Sequence, residues 1–181
     1  IHPHFLFNTL NTIYGLALTK KDSAPGMILK LADLLDYILY ETNKNKVPLH
    51  REIQHLKDYI ELENLRFGNR LIAEISIADF STDIEIPPML FLPFLENSFK
   101  HGKSAEGILN IKWKLEIIED QLLFLLKNSV PARKEILDQN SGIGLENIQK
   151  RLKYIYGEAY GLEVITTKKS YSVLLKIPIN F

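Results

Sequence analysis

Two apolar segments, residues 107–118 and 121–127, are separated only by Glu119-Asp120. A link of two residues allows an antiparallel hairpin and forbids a parallel crossover, which needs a dozen residues or more. The last two apolar runs, 162–167 and 171–179, are joined almost as tightly and read as a terminal hairpin. A mixed or antiparallel sheet therefore fits this order better than a doubly wound one. Leu71 to Ile77 alternates apolar and other residues and is predicted to be a further strand.

Helical spacing fills the rest. Residues 1–20 carry Phe5, Leu6, Phe7, Leu10, Ile13, Tyr14, Leu16 and Ala17, a wide apolar surface for one helix. Lys20 to Gly26 reads as a polar turn containing the breakers Pro25 and Gly26. A second helix is predicted over 27–42, with Ile28, Leu31, Leu35 and Ile38 stepping 3, 4, 3 and Leu34 and Leu39 widening the stripe. Two helices joined by a short turn make an antiparallel hairpin, and two alone cannot bury both stripes. Self-association into a four-helix bundle or docking on the rest of the chain would cover them. A third helix is predicted over 49–67, closed by Gly68 and Asn69. A fourth runs from Met89 to His101, closed by Gly102, and a fifth from Gly144 to Tyr156. The expected fold class is α+β. An antiparallel helical hairpin (1–46) precedes an α/β sandwich (47–181), a mixed sheet with helices on one face.

Composition narrows the function. The 181 residues include 22 Lys+Arg against 22 Asp+Glu and no cysteine. A formal charge of zero argues against direct nucleic-acid binding, which needs a basic excess. Without cysteine there are no disulfides, no Cys-ligated zinc and no thiol catalysis. No apolar run approaches the length of a membrane span. The sequence opens at Ile1 without a methionine, and a dense motif follows at once, so it is expected to be a piece of a longer protein.

Four constellations carry polar groups suited to chemistry. In Pro3-His4-Phe5-Leu6-Phe7-Asn8, His4 and Asn8 are four apart and share one helix face. A neutral imidazole is a competent nucleophile near pH 7, and an amide one turn away can orient a water or a phosphate. On spacing alone the plainer reading, a surface or capping histidine, is preferred. The run from Pro87 to Gly102 is mostly a buried helix, with Glu96, Asn97, Lys100 and His101 at its polar end. An amide oxygen can complete a Mg²⁺ shell beside phosphate oxygens and water, and Lys100 and His101 can face phosphates. The plainer reading is a core helix whose cations suit its C-terminal dipole. Gly142-Ile143-Gly144 opens a helix, where close backbone approach and free N–H groups suit an anion. Asn128, at the end of a strand, can hydrogen-bond a base edge; it is also simply a strand end.

The order and separation of these motifs resemble the LytS-type sensor histidine kinases over the whole chain. Residues 3–11 match Pro-His-Phe-Leu-Phe-Asn-x-Leu-Asn. Residues 87–102 look like the N box of that family's ATP-binding domain. Residues 142–152 look like its second glycine box, Gly-Ile-Gly-Leu-x-Asn-x-x-x-Arg-Leu. The resemblance implies a histidine autokinase with an ATP-binding domain of the Bergerat type, shared with gyrase, a class of heat-shock chaperones and MutL. It implies that His4 accepts the γ-phosphoryl group of ATP. Asn97 would hold Mg²⁺, Lys100 and His101 would neighbour the phosphates, and Gly142 and Gly144 would set backbone N–H groups against them. Residues 130–141 would be the lid. The partners implied are a response regulator with a DNA-binding output domain and a second copy of the chain joined through the hairpin. The implied location is the cytoplasmic portion of a bacterial inner-membrane protein, attached only through segments upstream of Ile1.

Two departures from the family pattern stand out. Many histidine kinases carry an acidic base directly after the acceptor; here that place is Phe5, with Glu96 a candidate base and Asn8 a candidate water-positioner. The family's first glycine box reads Asp-x-Gly-x-Gly, its Asp contacting the adenine amino group. Here the aligned stretch is Asn128-Ser129-Val130. Asn128 can accept that hydrogen bond only without charge assistance, so Asn128→Asp is expected to raise nucleotide affinity. The alternative from another class is a catalytically weak or inactive dimeric scaffold that signals by conformation.

Overall fold

A computed structural model describes residues 3–80, 84–102, 104, 106–131 and 141–179, the side chains of 141–143 excepted. In chain order the elements are α1 (Pro3–Leu18), α2 (Ser23–Asp36) with a π-helical turn (Tyr37–Glu41), β1 (Val47–Pro48), α3 (Leu49–Phe67), β2 (Leu71–Ile77), β3 (Glu85–Ile86), α4 (Leu92–His101), β4 (Leu109–Ile118), β5 (Gln121–Ser129), α5 (Ser141–Tyr156), β6 (Gly161–Thr166) and β7 (Ser170–Pro178). They form two compact units, Ile1–Asn69 with Thr82–Leu90, and Arg70–Ser81 with Phe91–Phe181. The expected division after residue 46 followed the polar break at 42–48. The compact units run differently, because α3 packs against both hairpin helices.

In the first unit, α1 turns Phe5, Thr9 and Ile13 inward, one residue per turn. Phe5 stacks on Tyr59 of α3 at 4.6 Å. The seam of α2 is Ala24, Leu31, Leu34 and, in the π turn, Tyr37; Leu31 and Leu34 of the predicted stripe lie in it, while Leu35 and Ile38 are half-buried and Leu39 is exposed. Ile28 is exposed. The helix has rotated its stripe toward α3, which supplies most of the buried surface it needs. Helix α2 also begins four residues earlier than predicted. Pro25 sits in its first turn, where a missing N–H costs nothing because that group has no intrahelical partner. Gly68, at φ 55°, ends α3 as predicted. The two-residue pair β1–β3, with Val47 opposite Ile86, was not visible in the pattern.

The second unit is a five-stranded mixed sheet in the order β2-β4-β5-β7-β6. Only β2 and β4 run parallel; the other pairs are antiparallel. Along β4, Leu109, Ile111, Trp113 and Leu115 are buried while Asn110, Lys112 and Lys114 face solvent. Leu122, Phe124 and Leu126 of β5 and Val173, Leu175 and Ile177 of β7 continue the buried face. The period of two sets one apolar face against helices and leaves the other wet. Phe91, just before α4, stacks on Phe124 at 4.5 Å, and Phe94 tilts over the same ring at 5.9 Å. Helix α4 starts at Leu92, not Met89, with Pro93 in its first turn. The α+β class and the mixed sheet are as expected.

Candidate functional site

The polar end of α4 holds four of the predicted residues. Glu96 and Asn97 are half-buried, Lys100 is exposed and His101 is half-buried. Among the described residues no side chain hydrogen-bonds the Asn97 amide. Ser98, between them in sequence, faces the opposite way. It is fully buried, and its hydroxyl donates to Asn128 Oδ1 of β5 at 2.9 Å. Asn128 Nδ2 donates to the carbonyl of Ser129 at 2.7 Å. The Ser129 hydroxyl donates to the Gly102 carbonyl, and the Asn110 N–H donates to that hydroxyl at 3.1 Å. Gly102 is required by close approach, not by its backbone angle. A Cβ there would stand 2.4 Å from Ser98 O, 2.5 Å from Leu109 Cδ1 and 2.9 Å from Asn128 Nδ2.

The structure thus brings the end of α4 and Asn128 together in one hydrogen-bonded cluster. Ser98, Gly102 and Ser129 belong to it; Gly102 was expected only as the helix end and Ser129 only as part of the strand end, and their joining in one cluster was not predicted. The one available signal was a serine inside an otherwise apolar helix run, which needs a partner when buried. The Gly-x-Gly pair lies within the first turns of α5, three residues later in the helix than predicted. Gly144 is exposed, and a Cβ there would meet nothing within 4 Å. Most of the expected lid, 132–140, lies outside the described residues.

His4 and Asn8 belong to the other compact unit. Both lie on α1, His4 exposed in the first turn, and Asn8 Nδ2 donates to the imidazole, 3.0 Å from Nδ1 and 3.4 Å from Nε2. The i, i+4 spacing produces that contact. A second polar cluster of this unit was not predicted. Glu52 of α3 is fully buried and accepts the N–H groups of Met89 at 2.9 Å and Leu90 at 2.8 Å, together with the Tyr37 hydroxyl. Burial and the neighbouring carboxylate push the Tyr37 hydroxyl far above its ordinary range, so it remains a donor.

A metal fits this site only in company. Among the described residues no three His, Asp or Glu side chains are grouped to hold an ion. The half-buried Asn97 amide supplies a hard oxygen suited to Mg²⁺ that brings phosphate and water ligands with it.

The histidine kinase family model matches residues 1–71. The sensor protein LytS of Oceanobacillus iheyensis is 32% identical over 98% of this chain. This chain belongs to the LytS-type histidine kinases. It spans 33% of that relative's length. Solved histidine kinase structures share the fold of this LytS-type chain. The catalytic domain of histidine kinase ThkA, 13% identical, superposes with a TM-score of 0.56, covering 74% of this chain and 94% of that domain. Full-length ShkA, solved in complex with AMPPNP, is 16% identical with a TM-score of 0.54, covering 91% of this chain and 38% of ShkA.

Proposed function

We propose that this chain is the transmitter of a sensor histidine kinase, which phosphorylates His4 from ATP with Mg²⁺ and passes the group to an aspartate of a response regulator. The observation that carries the reading is the exposed, amide-held imidazole of His4 on α1, in a chain whose sheet unit separately carries a half-buried Asn97 amide at the end of α4 and room for close approach at Gly144. Phosphoryl transfer asks a protein mainly for positioning and charge neutralisation.

His4 is the nucleophile, and exposure lets a bulky donor reach its ring. Asn8 limits the rotation of that ring. Asn97 contributes an oxygen toward Mg²⁺, which neutralises phosphate charge when bound. Lys100 adds positive charge beside the phosphates and His101 a ring nitrogen, and the first turn of α5 at Gly142 offers N–H groups to them, while Gly144, fourth in the helix, gives room for close approach. Glu96 is the candidate proton acceptor for His4, since Phe5 occupies the usual place.

The function divides at residue 46, with the hairpin serving dimerisation and phosphotransfer. The dimer has a physical motive. Phe7, Leu10, Tyr14 and Leu18 form an exposed apolar stripe on α1, with Ile28, Leu29, Leu39 and Tyr40 exposed on α2. Large exposed apolar patches of this kind mark association surfaces. No helix among the described residues is long and apolar enough to cross a membrane; attachment to the inner membrane, with this region on the cytoplasmic side, would come from sequence upstream.

The test is incubation with Mg²⁺ and γ-labelled ATP. Acid-labile, alkali-stable label is expected, lost in His4→Gln and in Asn97→Asp. Absence of label in a longer chain carrying intact hairpins would overturn the kinase reading and leave the dimeric scaffold in its place.

A further inference from the structure

We propose that this site takes nucleoside triphosphates by their phosphates, with little choice of base, because Asn128 is a brace inside the protein and not a base reader. The inference rests on the reading of this region as a nucleotide site.

Both ends of the Asn128 amide are used internally. Its oxygen accepts from Ser98 and its nitrogen donates to the Ser129 carbonyl. The residue is 3% exposed and Ser98 is 0% exposed. The Cα of Gly102 closes over the nitrogen, leaving no space there even for a methyl group. Through Ser129 the cluster reaches Gly102 at the end of α4 and Asn110 at the start of β4. Its geometry ties three elements together.

The cradle is also specific for an amide. A carboxylate at this position would set an acceptor oxygen where Nδ2 now stands, 2.7 Å from the Ser129 carbonyl oxygen. Two acceptors cannot share a proton that neither carries. The expectation that Asn128→Asp raises nucleotide affinity therefore reverses: the substitution places repulsion inside the brace.

The consequence for recognition is direct. A site that hydrogen-bonds a substrate group rejects analogues lacking it by orders of magnitude, whereas a site without that bond separates them weakly. The 6-amino group of adenine and the 6-oxo group of hypoxanthine differ in the sense of that hydrogen bond. The amide keeps one N–H and one lone pair beyond its two bonds, but at 3% exposure it turns neither toward a base, so neither edge is registered. The phosphates, by contrast, meet the unengaged Asn97, the cations of α4 and the N-terminus of α5.

The experiment measures dissociation constants of the Mg²⁺ complexes of ATP, ITP and GTP, and competition by magnesium tripolyphosphate, on the full chain. The three nucleotides are expected to agree within about threefold, with tripolyphosphate displacing each of them. A preference for ATP over ITP beyond about twentyfold would overturn the proposal while upholding the kinase reading. Binding of none of them would overturn both. Asn128→Ala is expected to lower the unfolding temperature and to leave the ATP-to-ITP ratio unchanged; a ratio altered more than about fivefold would make Asn128 a base contact after all. Ser98→Ala, the milder change to the same brace, is expected to behave alike and serves if Asn128→Ala does not fold.

Discussion

Tyr37, in the π turn that ends α2, donates its hydroxyl to the buried carboxylate of Glu52 in α3. The same carboxylate receives the backbone N–H groups of Met89 and Leu90. A single acidic side chain thus satisfies three donors and joins the π turn after the second hairpin helix, the third helix and the segment that follows β3. Met89 is in the left-handed region at φ 56°, a conformation that this double N–H contact holds in place. Tyr37→Phe removes one of three bonds and is expected to cost about 1 kcal/mol. Glu52→Ala strands all three donors and is expected to cost about 3 kcal/mol or more, or to prevent folding. Urea unfolding of the two variants checks the order; equal costs would show that the backbone contacts contribute nothing.

His55 stacks on Tyr37 at 4.2 Å and is 4% exposed, and among the described residues neither ring nitrogen has a hydrogen-bond partner. Burial pushes its pKa down to about 4, against the opposing pull of Asp58. The folded protein holds it neutral, while the unfolded chain takes up a proton near pH 6.5. The stability this gives is complete above pH 6.5 and is lost as the pH falls toward 4. Between pH 7 and pH 5 the loss from this one group is about 2 kcal/mol. His55→Phe keeps the stacking and removes the titration. Its urea midpoint should fall less than the wild type's over that interval; parallel curves would refute the assignment.

The exposed stripe of α1 is argued to be a dimer face, so its disruption should change association and not folding. Leu10 and Tyr14 are 47% and 64% exposed. The pair Leu10→Glu and Tyr14→Glu adds charge without removing buried area, and each surface change is expected to alter stability by less than about 0.5 kcal/mol. Analytical ultracentrifugation should find the wild type dimeric and the double variant monomeric, with unchanged circular dichroism. A monomeric wild type at tens of micromolar would count against the bundle.

The sequence made the sheet legible because alternation and tight links are local. Leu71–Ile77 came out residue for residue, and Glu119-Asp120, with Glu119 at φ 55°, turns the hairpin it was read to turn. The inward face of the second hairpin helix was legible only in part, at Leu31 and Leu34, because both could belong to either of two stripes until α3 was in place to choose. The start of α2 was hidden by Pro25, which breaks a helix interior and suits a first turn. Motif alone singled out Asn97 and Gly144 as candidates, whereas Ser98 and Gly102 beside them, and Glu52 in the other unit, act through contacts 27 to 38 residues away in sequence. Such contacts leave no periodic trace. Asn128 was located correctly as a polar strand end, but its partners decide what it can do.

Two glycines near the proposed nucleotide site should respond in opposite ways. Gly102→Ala forces a methyl group to within 2.4 Å of Ser98 O and 2.5 Å of Leu109 Cδ1, and neither the helix carbonyl nor the strand can retreat far. A loss of about 2–4 kcal/mol is expected, in the range of other overpacked cores. At Gly144 an added methyl group meets open space in a helix. Gly144→Ala should keep or raise stability, by up to about 1 kcal/mol, since alanine is the better helix former. If phosphates approach the backbone there, the same methyl group stands in their way, and Mg²⁺–ATP affinity should fall at least about tenfold, or about 1.4 kcal/mol. Thermal unfolding without nucleotide, followed by a binding titration, separates the two effects. A Gly144→Ala protein that is stable and binds Mg²⁺–ATP as the wild type does would remove the first turns of α5 from the phosphate site.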